Sequence, residues 1–251
     1  MNDMSFLERV GHYFDEIGLI RIGSTYAADI DFLIILVLVV VGVWFLLAEY
    51  IFIHFILKYR AKPGRKADYI TGKEKHLKRW ITIPHLMVLA FDVLIVVVSF
   101  QVWHKIKMDL PENPDAVLRI TGQQWAWTFQ HPGVDGELDT ADDIFTVDEL
   151  HVENEKTYHF KLEATDVLHS FSVPVWRLKQ DAIPGRSITG WFQPTITGEF
   201  DVQCAEICGF GHGVMAARVM VEDAETHASW VAANTPVAAA PAAGQATPGT
   251  Q

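Results

Sequence analysis

Two cysteines, a histidine and a methionine fall within one short run, Cys204-Ala-Glu206-Ile-Cys208-Gly-Phe-Gly-His212-Gly-Val-Met215, and the chain has no other cysteine. Thiolate, imidazole and thioether together suit copper; calcium and magnesium take oxygen, and a methionine is foreign to an ordinary structural zinc site. Other chemistries fit this spacing less well. A Cys204–Cys208 disulfide closing so short a loop adds little to a 251-residue chain with a large core, and it leaves His212 and Met215 without a task. Four-coordinate zinc would need a fourth, distant group. A mononuclear blue-copper site uses one cysteine, a downstream histidine, a weak methionine and a second histidine from an earlier strand, so here one thiolate is surplus. Two thiolates can bridge two coppers, which makes a dinuclear centre the expectation, provided a further histidine arrives from elsewhere.

The elements that must carry this run divide the chain in two. Half of its residues are hydrophobic, and they are unevenly placed. Residues 30–57 are almost wholly apolar and as a helix would reach about 42 Å at roughly 1.5 Å per residue; residues 81–103 would reach about 35 Å. Both exceed a bilayer core of about 30 Å, so a transmembrane helical hairpin is expected over 30–103. The loop 58–80 carries Lys58, Arg60, Lys62, Arg65, Lys66, Lys73, Lys75, Lys78 and Arg79 against Asp68 and Glu74. Short loops rich in lysine and arginine stay in the cytoplasm, which places both termini outside. The first span starts some thirty residues in, behind Asp29 and Asp31, and lacks the basic start of a cleaved signal; it is expected to be retained. Before it, residues 1–29 show Phe6, Val10, Phe14 and Ile17 at helical spacing, an amphipathic segment for the outer membrane face. Within the spans, Glu49, His54, His85 and Asp92 need polar partners; Asp92, near the midplane, argues for a neighbouring membrane subunit.

After Trp103 the composition turns to Pro, Asn and Asp over 109–115, and 104–115 reads as a linker. Short strand-like stretches follow, separated by turn residues: 116–121, 158–164, 167–173, 187–192, 200–204 and 217–221. That pattern predicts an all-β Greek-key sandwich or barrel over 116–233. The acidic stretch 133–143 reads as a solvated loop without regular calcium-ligand spacing, and 234–251 as a disordered Ala/Pro-rich tail. Residues 109–230 hold 21 acidic against 7 basic side chains, a balance of −14. Such a domain steers a basic partner in a salt-dependent way, and no nucleic-acid partner is expected. There is no Cys-x-x-Cys-His run, hence no covalently attached haem.

Three further stretches stand in register with the cysteine run: Gly122-Gln-Gln-Trp125-Ala-Trp127, Asp166-Val-Leu-His169-Ser, and Leu178-Lys-Gln-Asp-Ala-Ile-Pro-Gly-Arg186. Together, in this order and below two apolar spans, they make the chain resemble cytochrome c oxidase subunit II. That family's copper motif is Cys-x-Glu-x-Cys-x3-His-x2-Met with Asp-Val-Leu-His-Ser upstream. The resemblance implies a cupredoxin-like domain after the two helices; the orientation above puts it in the periplasm of a bacterial inner membrane, or in the intermembrane space for a mitochondrial chain. It implies a dinuclear copper A centre with His169, Cys204, Cys208, His212 and Met215 as side-chain ligands and Glu206 giving its backbone carbonyl. The Glu206 carboxylate would bind magnesium or manganese at the boundary with subunit I, and Lys179, Asp181 and Arg186 would meet the same subunit.

By the same resemblance Trp125 accepts electrons from bound cytochrome c, while Trp127, the alternate residue of the strand, serves the core. Electrons would then pass to haem in subunit I, where oxygen is reduced, with subunit III as a further partner; the oxygen chemistry is not in this chain. The same module could serve a nitric oxide reductase, a membrane-tethered copper carrier or a copper-free quinol oxidase. The intact ligand set opposes the last, and Glu206 with the 178–186 segment disfavours the carrier. One departure concerns protons: the family commonly has a glutamate at the cytoplasmic start of the second span, where this chain has Leu77. His131, His151, His159 and His227 lie outside all four motifs and are read as ordinary.

Overall fold

The computed structural model describes residues 21–66 and 71–236. The expected N-terminal amphipathic segment up to residue 20 and the tail from 237 lie outside the described residues. Two units emerge, one built from the long helices and one from strands.

Helix α1 (Ala27–Tyr59) has 33 residues and helix α2 (Lys75–Trp103) has 29, the latter continued by a wider turn through His104–Met108. The non-helical linker therefore begins at Asp109, where the Pro/Asn/Asp composition begins, rather than at residue 104. Leucine, valine, isoleucine and phenylalanine side chains stand exposed all round both helices, from Leu38 and Phe45 to Leu86 and Val96. A helix apolar on every side is stable only where lipid or protein surrounds it. Pro84 sits inside α2, and His85 Nδ1 lies 2.7 Å from the Ile81 carbonyl one turn earlier. Trp44 and Phe91 meet edge to face at 6.2 Å, linking the two helices.

The second unit is a two-layer β-sandwich. Its strands are β1 (Ala116–Gln123), β2 (Ala126–His131), β3 (Ile144–Val147), β4 (Glu149–Glu153), β5 (Tyr158–Ala164), β6 (His169–Val173), β7 (Leu178–Ala182), β8 (Ile188–Phe192), β9 (Gly198–Cys204) and β10 (Ala216–Glu222), followed by helix α3 (Ala224–Asn234). One sheet runs β3-β2-β1-β5-β8 and the other β4-β10-β9-β6-β7. Pairing is antiparallel except for β1 with β5 and β10 with β4, so the chain crosses between sheets as an all-β Greek-key-type sandwich requires. The two-residue period shows in β5, where Tyr158, Phe160, Leu162 and Ala164 point inward. Between the layers Trp127, Trp176, Phe129, Phe160, Phe171 and Phe192 are completely buried. Each such side chain contributes about 1.5–3 kcal/mol by leaving water.

Residues 21–26 do not extend the expected amphipathic helix. Their polar groups find partners on the sandwich instead: the Gly23 N–H donates to the Val175 carbonyl at 2.9 Å and Ser24 Oγ to the Trp176 carbonyl at 2.9 Å. Tyr26 is buried and lies edge to face with Trp191 at 5.2 Å. The acidic loop 133–143 spends its carboxylates on its own backbone and neighbours. Asp142 accepts the Asp135 N–H, Asp143 accepts the Asp139 N–H, and Asp139 pairs with Arg119. The Arg119 hydrogen bond holds the Asp139 carboxyl down at about 2.

Candidate metal centre

His169 opens β6, Cys204 closes β9, and Met215 immediately precedes β10; the intervening loop carries Cys208 and His212. Sheet register joins these pieces. Phe171 on β6 pairs with Cys204 on β9, the Ala205 N–H donates to the Ser170 carbonyl at 2.9 Å, and the Cys204 N–H donates to the Met215 carbonyl at 3.2 Å. Both ends of the loop are thus pinned to a sheet, and its middle is folded back by the His212 N–H on the Gly209 carbonyl and the Met215 N–H on the Gly211 carbonyl.

Five side-chain donors converge inside this frame. His169 Nδ1 and the sulfurs of Cys204 and Cys208 all lie within 4.8 Å of one another, the one such His/Cys/Asp/Glu group among the described residues. Cys204 Sγ stands 3.9 Å from His169 Nδ1, and Cys208 Sγ 3.7 Å from both His212 Nδ1 and Met215 Sδ. The Glu206 carbonyl oxygen faces Cys204 Sγ at 3.3 Å. The two sulfurs are 3.8 Å apart and unbonded, far beyond the roughly 2.05 Å of a disulfide. They match the spacing of about 3.8 Å that two sulfurs adopt when each binds a common thiophilic ion tetrahedrally at roughly 2.3 Å. His169, Cys204, Cys208 and Met215 are buried, whereas His212 is half-buried. Burial and the hydrogen bond to Cys204 push the Cys208 thiol up to about 11, so a metal must displace its proton on binding.

His169 is fixed from behind. Its Nε2 lies 2.8 Å from Asp166 Oδ1, and a carboxylate can only accept, so Nε2 carries the proton and Nδ1 keeps its lone pair toward the cysteines. Burial raises the Asp166 carboxyl, but the hydrogen bonds from His169, Gln124 and Val167 outweigh it and leave the group below the usual carboxylate range. The imidazole meets Trp127 edge to face at 6.0 Å. A Cβ on Gly122 would stand only 3.1–3.2 Å from both rings, so glycine there opens the space they share.

Trp125, in the β1–β2 turn, is 42 % exposed, and its Nε1–H donates to the Cys208 carbonyl at 3.3 Å. Its indole lies flat over the loop: a Cβ on Gly211 would fall 2.4 Å from the ring. Trp127, expected in the core, is fully buried on β2, whereas Trp125 lies in the turn rather than on the same strand. Glu206 is half-buried; Lys179 is exposed on β7, Asp181 is half-buried on the same strand, and Arg186 is exposed on the following turn. These last three residues are not brought into the donor cluster.

A second histidine group, read from sequence as ordinary, assembles where α3 meets the sandwich. Glu222 Oε1 accepts from His151 Nδ1 at 2.9 Å and Oε2 from His227 Nδ1 at 3.0 Å, while His151 stacks on Trp230 at 4.1 Å. His131 is buried beside them with Nε2 3.2 Å from Thr146 Oγ1. No sequence motif announces this group, because its members come from β2, β4, β10 and α3.

Fold and donors together define the class: a β-sandwich of cupredoxin-like type behind two membrane-spanning helices, with a soft-metal cluster on the loop before the last strand. Comparisons with known sequences agree. The sequence model of the family described as "Cytochrome C oxidase subunit II, periplasmic domain" matches residues 116–222. The alternative cytochrome c oxidase subunit 2 of Bradyrhizobium diazoefficiens is 33% identical over 198 residues, covering 70% of this chain and 69% of that one. Cytochrome c oxidase subunit 2 of Thermostichus vulcanus is 41% identical over 128 residues, covering 51% of this chain and 36% of that one. Among solved structures, the periplasmic domain of subunit II of cytochrome oxidase (CoxB) of Bradyrhizobium japonicum is 28% identical, covers 50% of this chain and 96% of that one, and has a TM-score of 0.45. The chain belongs to the cytochrome c oxidase subunit II family and is a membrane-bound subunit of an oxidoreductase.

Proposed function

We propose that this chain receives single electrons from cytochrome c on the periplasmic side and delivers them to haem in subunit I, where oxygen is reduced to water. The observation that carries the reading is the convergence of His169 Nδ1 with two reduced, unbonded cysteine sulfurs 3.8 Å apart, next to an exposed tryptophan bonded to the carbonyl of one of them. His169, Cys204, Cys208, His212 and Met215, with the Glu206 carbonyl, would hold a dinuclear copper A centre. Such a pair supplies reversible one-electron transfer with the charge spread over two ions.

The chain's own residues set the conditions for this. His169 and Cys204 are fixed by strand ends and Met215 by its backbone bond to Cys204, so little must move when the charge changes. Burial keeps water from His169, Cys208 and Met215. Trp125 offers a flat apolar contact to a docked donor, and the acidic surface draws a basic cytochrome c toward it. Glu206, whose side chain springs from between the two cysteines, suits magnesium or manganese shared with subunit I, a hard cation for an oxygen ligand. Lys179, Asp181 and Arg186 face subunit I in this reading, and subunit III completes the membrane assembly. Both termini lie outside and the basic loop 58–80 inside.

The intact complex tests this with reduced cytochrome c as donor, oxygen consumption as readout and ionic strength as variable. Uptake that weakens steeply with salt, accompanied by four-electron reduction of oxygen, is expected. Salt-independent uptake, or turnover with nitric oxide and none with oxygen, would refute it.

A further inference from the structure

His169 and Trp125 stand on different elements, yet one carboxylate reaches the first and the turn that carries the second. Asp166 Oδ1 accepts from His169 Nε2 at 2.8 Å, and Asp166 Oδ2 accepts the backbone N–H of Gln124 at 2.7 Å. The Val167 N–H, 2.6 Å from Oδ1, pins the same carboxylate. Gln124 in turn sends its side-chain amide to the Cys208 carbonyl at 2.7 Å, beside the Trp125 Nε1–H on that same oxygen. The chain of bonds His169–Asp166–Gln124–Cys208 therefore closes around the donor cluster, from a ligand of one strand to a ligand of the loop.

The geometry points to Asp166 and Gln124 as a coupled pair of positioning residues that lock the His169 ring, the Cys208 carbonyl and the Trp125 turn into one bracket. Neither touches the reacting atoms. Asp166 sets which nitrogen of His169 is free to bind, and a partner of this kind typically governs metal affinity or activity by about 10–100-fold. Gln124 fixes the distance between the exposed indole and the loop sulfur, because its main chain is held at Asp166 while its side chain is held at Cys208. A shift at either end must pass to the other, since the intervening links are one carboxylate and one residue long. The bracket ties Gln124 and Trp125, both exposed at a turn tip, to the loop, and it deepens the electron-transfer reading above, on which it rests.

The test uses the full-length chain in its complex, comparing Asp166→Asn, Gln124→Ala and the double variant with the unaltered protein. Asn keeps the size of Asp but has one accepting oxygen, where the two oxygens of Asp166 accept three N–H groups, so it tests the bracket with little risk to folding. Each single change is expected to slow electron uptake from reduced cytochrome c about tenfold, and Asp166→Asn to alter the copper hyperfine pattern through His169. The double variant should be no slower than the worse single one, the signature of a shared pathway. Multiplying losses, or an unchanged rate and spectrum, would overturn the bracket. Amide hydrogen exchange on the metal-free protein gives a readout independent of copper. The Gln124 N–H should be protected in the unaltered chain and exchange faster in Asp166→Asn; equal exchange would also overturn it. If the unaltered protein lacks a shared-electron copper signal while the exchange difference holds, the electron-transfer reading fails and the bracket stands.

Discussion

Two histidine groups in one sandwich make an instructive contrast. In the cluster around the β9–β10 loop, His169 and His212 turn Nδ1 toward sulfur, and the His169 Nε2–H donates to Asp166. At the foot of α3, His151 and His227 turn Nδ1 toward the two oxygens of Glu222, and His131 turns Nε2 toward a threonine hydroxyl. Each group brings together histidines from distant elements. The lone pairs differ: one group leaves nitrogen and sulfur facing a common centre, whereas in the other His151 and His227 each give Nδ1 to Glu222 at the foot of the helix. The first is built to bind and the second to hold.

The largest effect that could break this contrast is Cys208→Ser. Its removal takes away a sulfur shared by contacts to Cys204, His212 and Met215, so the copper count should fall from two to at most one and the shared-electron signal should vanish. His151→Gln and His227→Gln should leave both count and signal unaltered; a loss there would mean that the second group, too, serves the metal. Next comes Trp125→Phe, which removes the Nε1–H bond to the Cys208 carbonyl while keeping a ring over Gly211. Electron uptake from cytochrome c should slow at least about tenfold, near 1.4 kcal/mol in barrier, with copper retained.

Acid should separate the groups further. Burial, then the neighbouring His151 and His227, hold the His131 imidazole down at about 3, against an unfolded value near 6.5. Between these values the unfolded chain binds the extra proton, so stability is fully present above pH 6.5 and is lost as pH falls toward 3. The slope is about 1.4 kcal/mol per pH unit inside that window, read from urea unfolding of the metal-free chain. His131→Gln should flatten it. A slope that persists in the variant would place the acid sensitivity elsewhere. The smallest effect belongs to Glu222→Gln: a loss of about 1 kcal/mol in α3 docking, seen as faster amide exchange in residues 224–234, with the copper spectrum untouched.

How much of this could be read from the residues depends on whether the determinants are local. The ligand run and the two spans are contiguous, so spacing exposed them, whereas His169 was placed by the resemblance of its Asp166-Val-Leu-His169-Ser stretch to the family's pattern. Strands β1, β5, β6, β8, β9 and β10 showed through as alternating or apolar stretches. β2, β3, β4 and β7 did not. β2 is Ala-Trp-Thr-Phe-Gln-His with three consecutive buried residues at its end, and β7 is Leu-Lys-Gln-Asp-Ala with only its ends buried, so neither displays a clean period of two. α3 escaped notice because it buries no residue outright and is held by polar and stacking contacts through His227 and Trp230. The segment 21–26 was read as helix from spacing that lies upstream of it, whereas its glycine, serine and tyrosine are recruited by the sandwich. The Glu222 group was illegible for a simpler reason: its members are scattered over a hundred residues and meet only through topology.

The measurement that bears most directly on the central claim is made on the full-length chain, solubilised with both helices in detergent and loaded with copper. Copper per chain is determined together with the electron paramagnetic resonance spectrum. Two coppers and a seven-line pattern, from one unpaired electron shared by two nuclei, are the predicted result. One copper with four lines, or a Cys204–Cys208 disulfide that takes up no metal, would contradict the dinuclear centre and the electron-transfer role built on it.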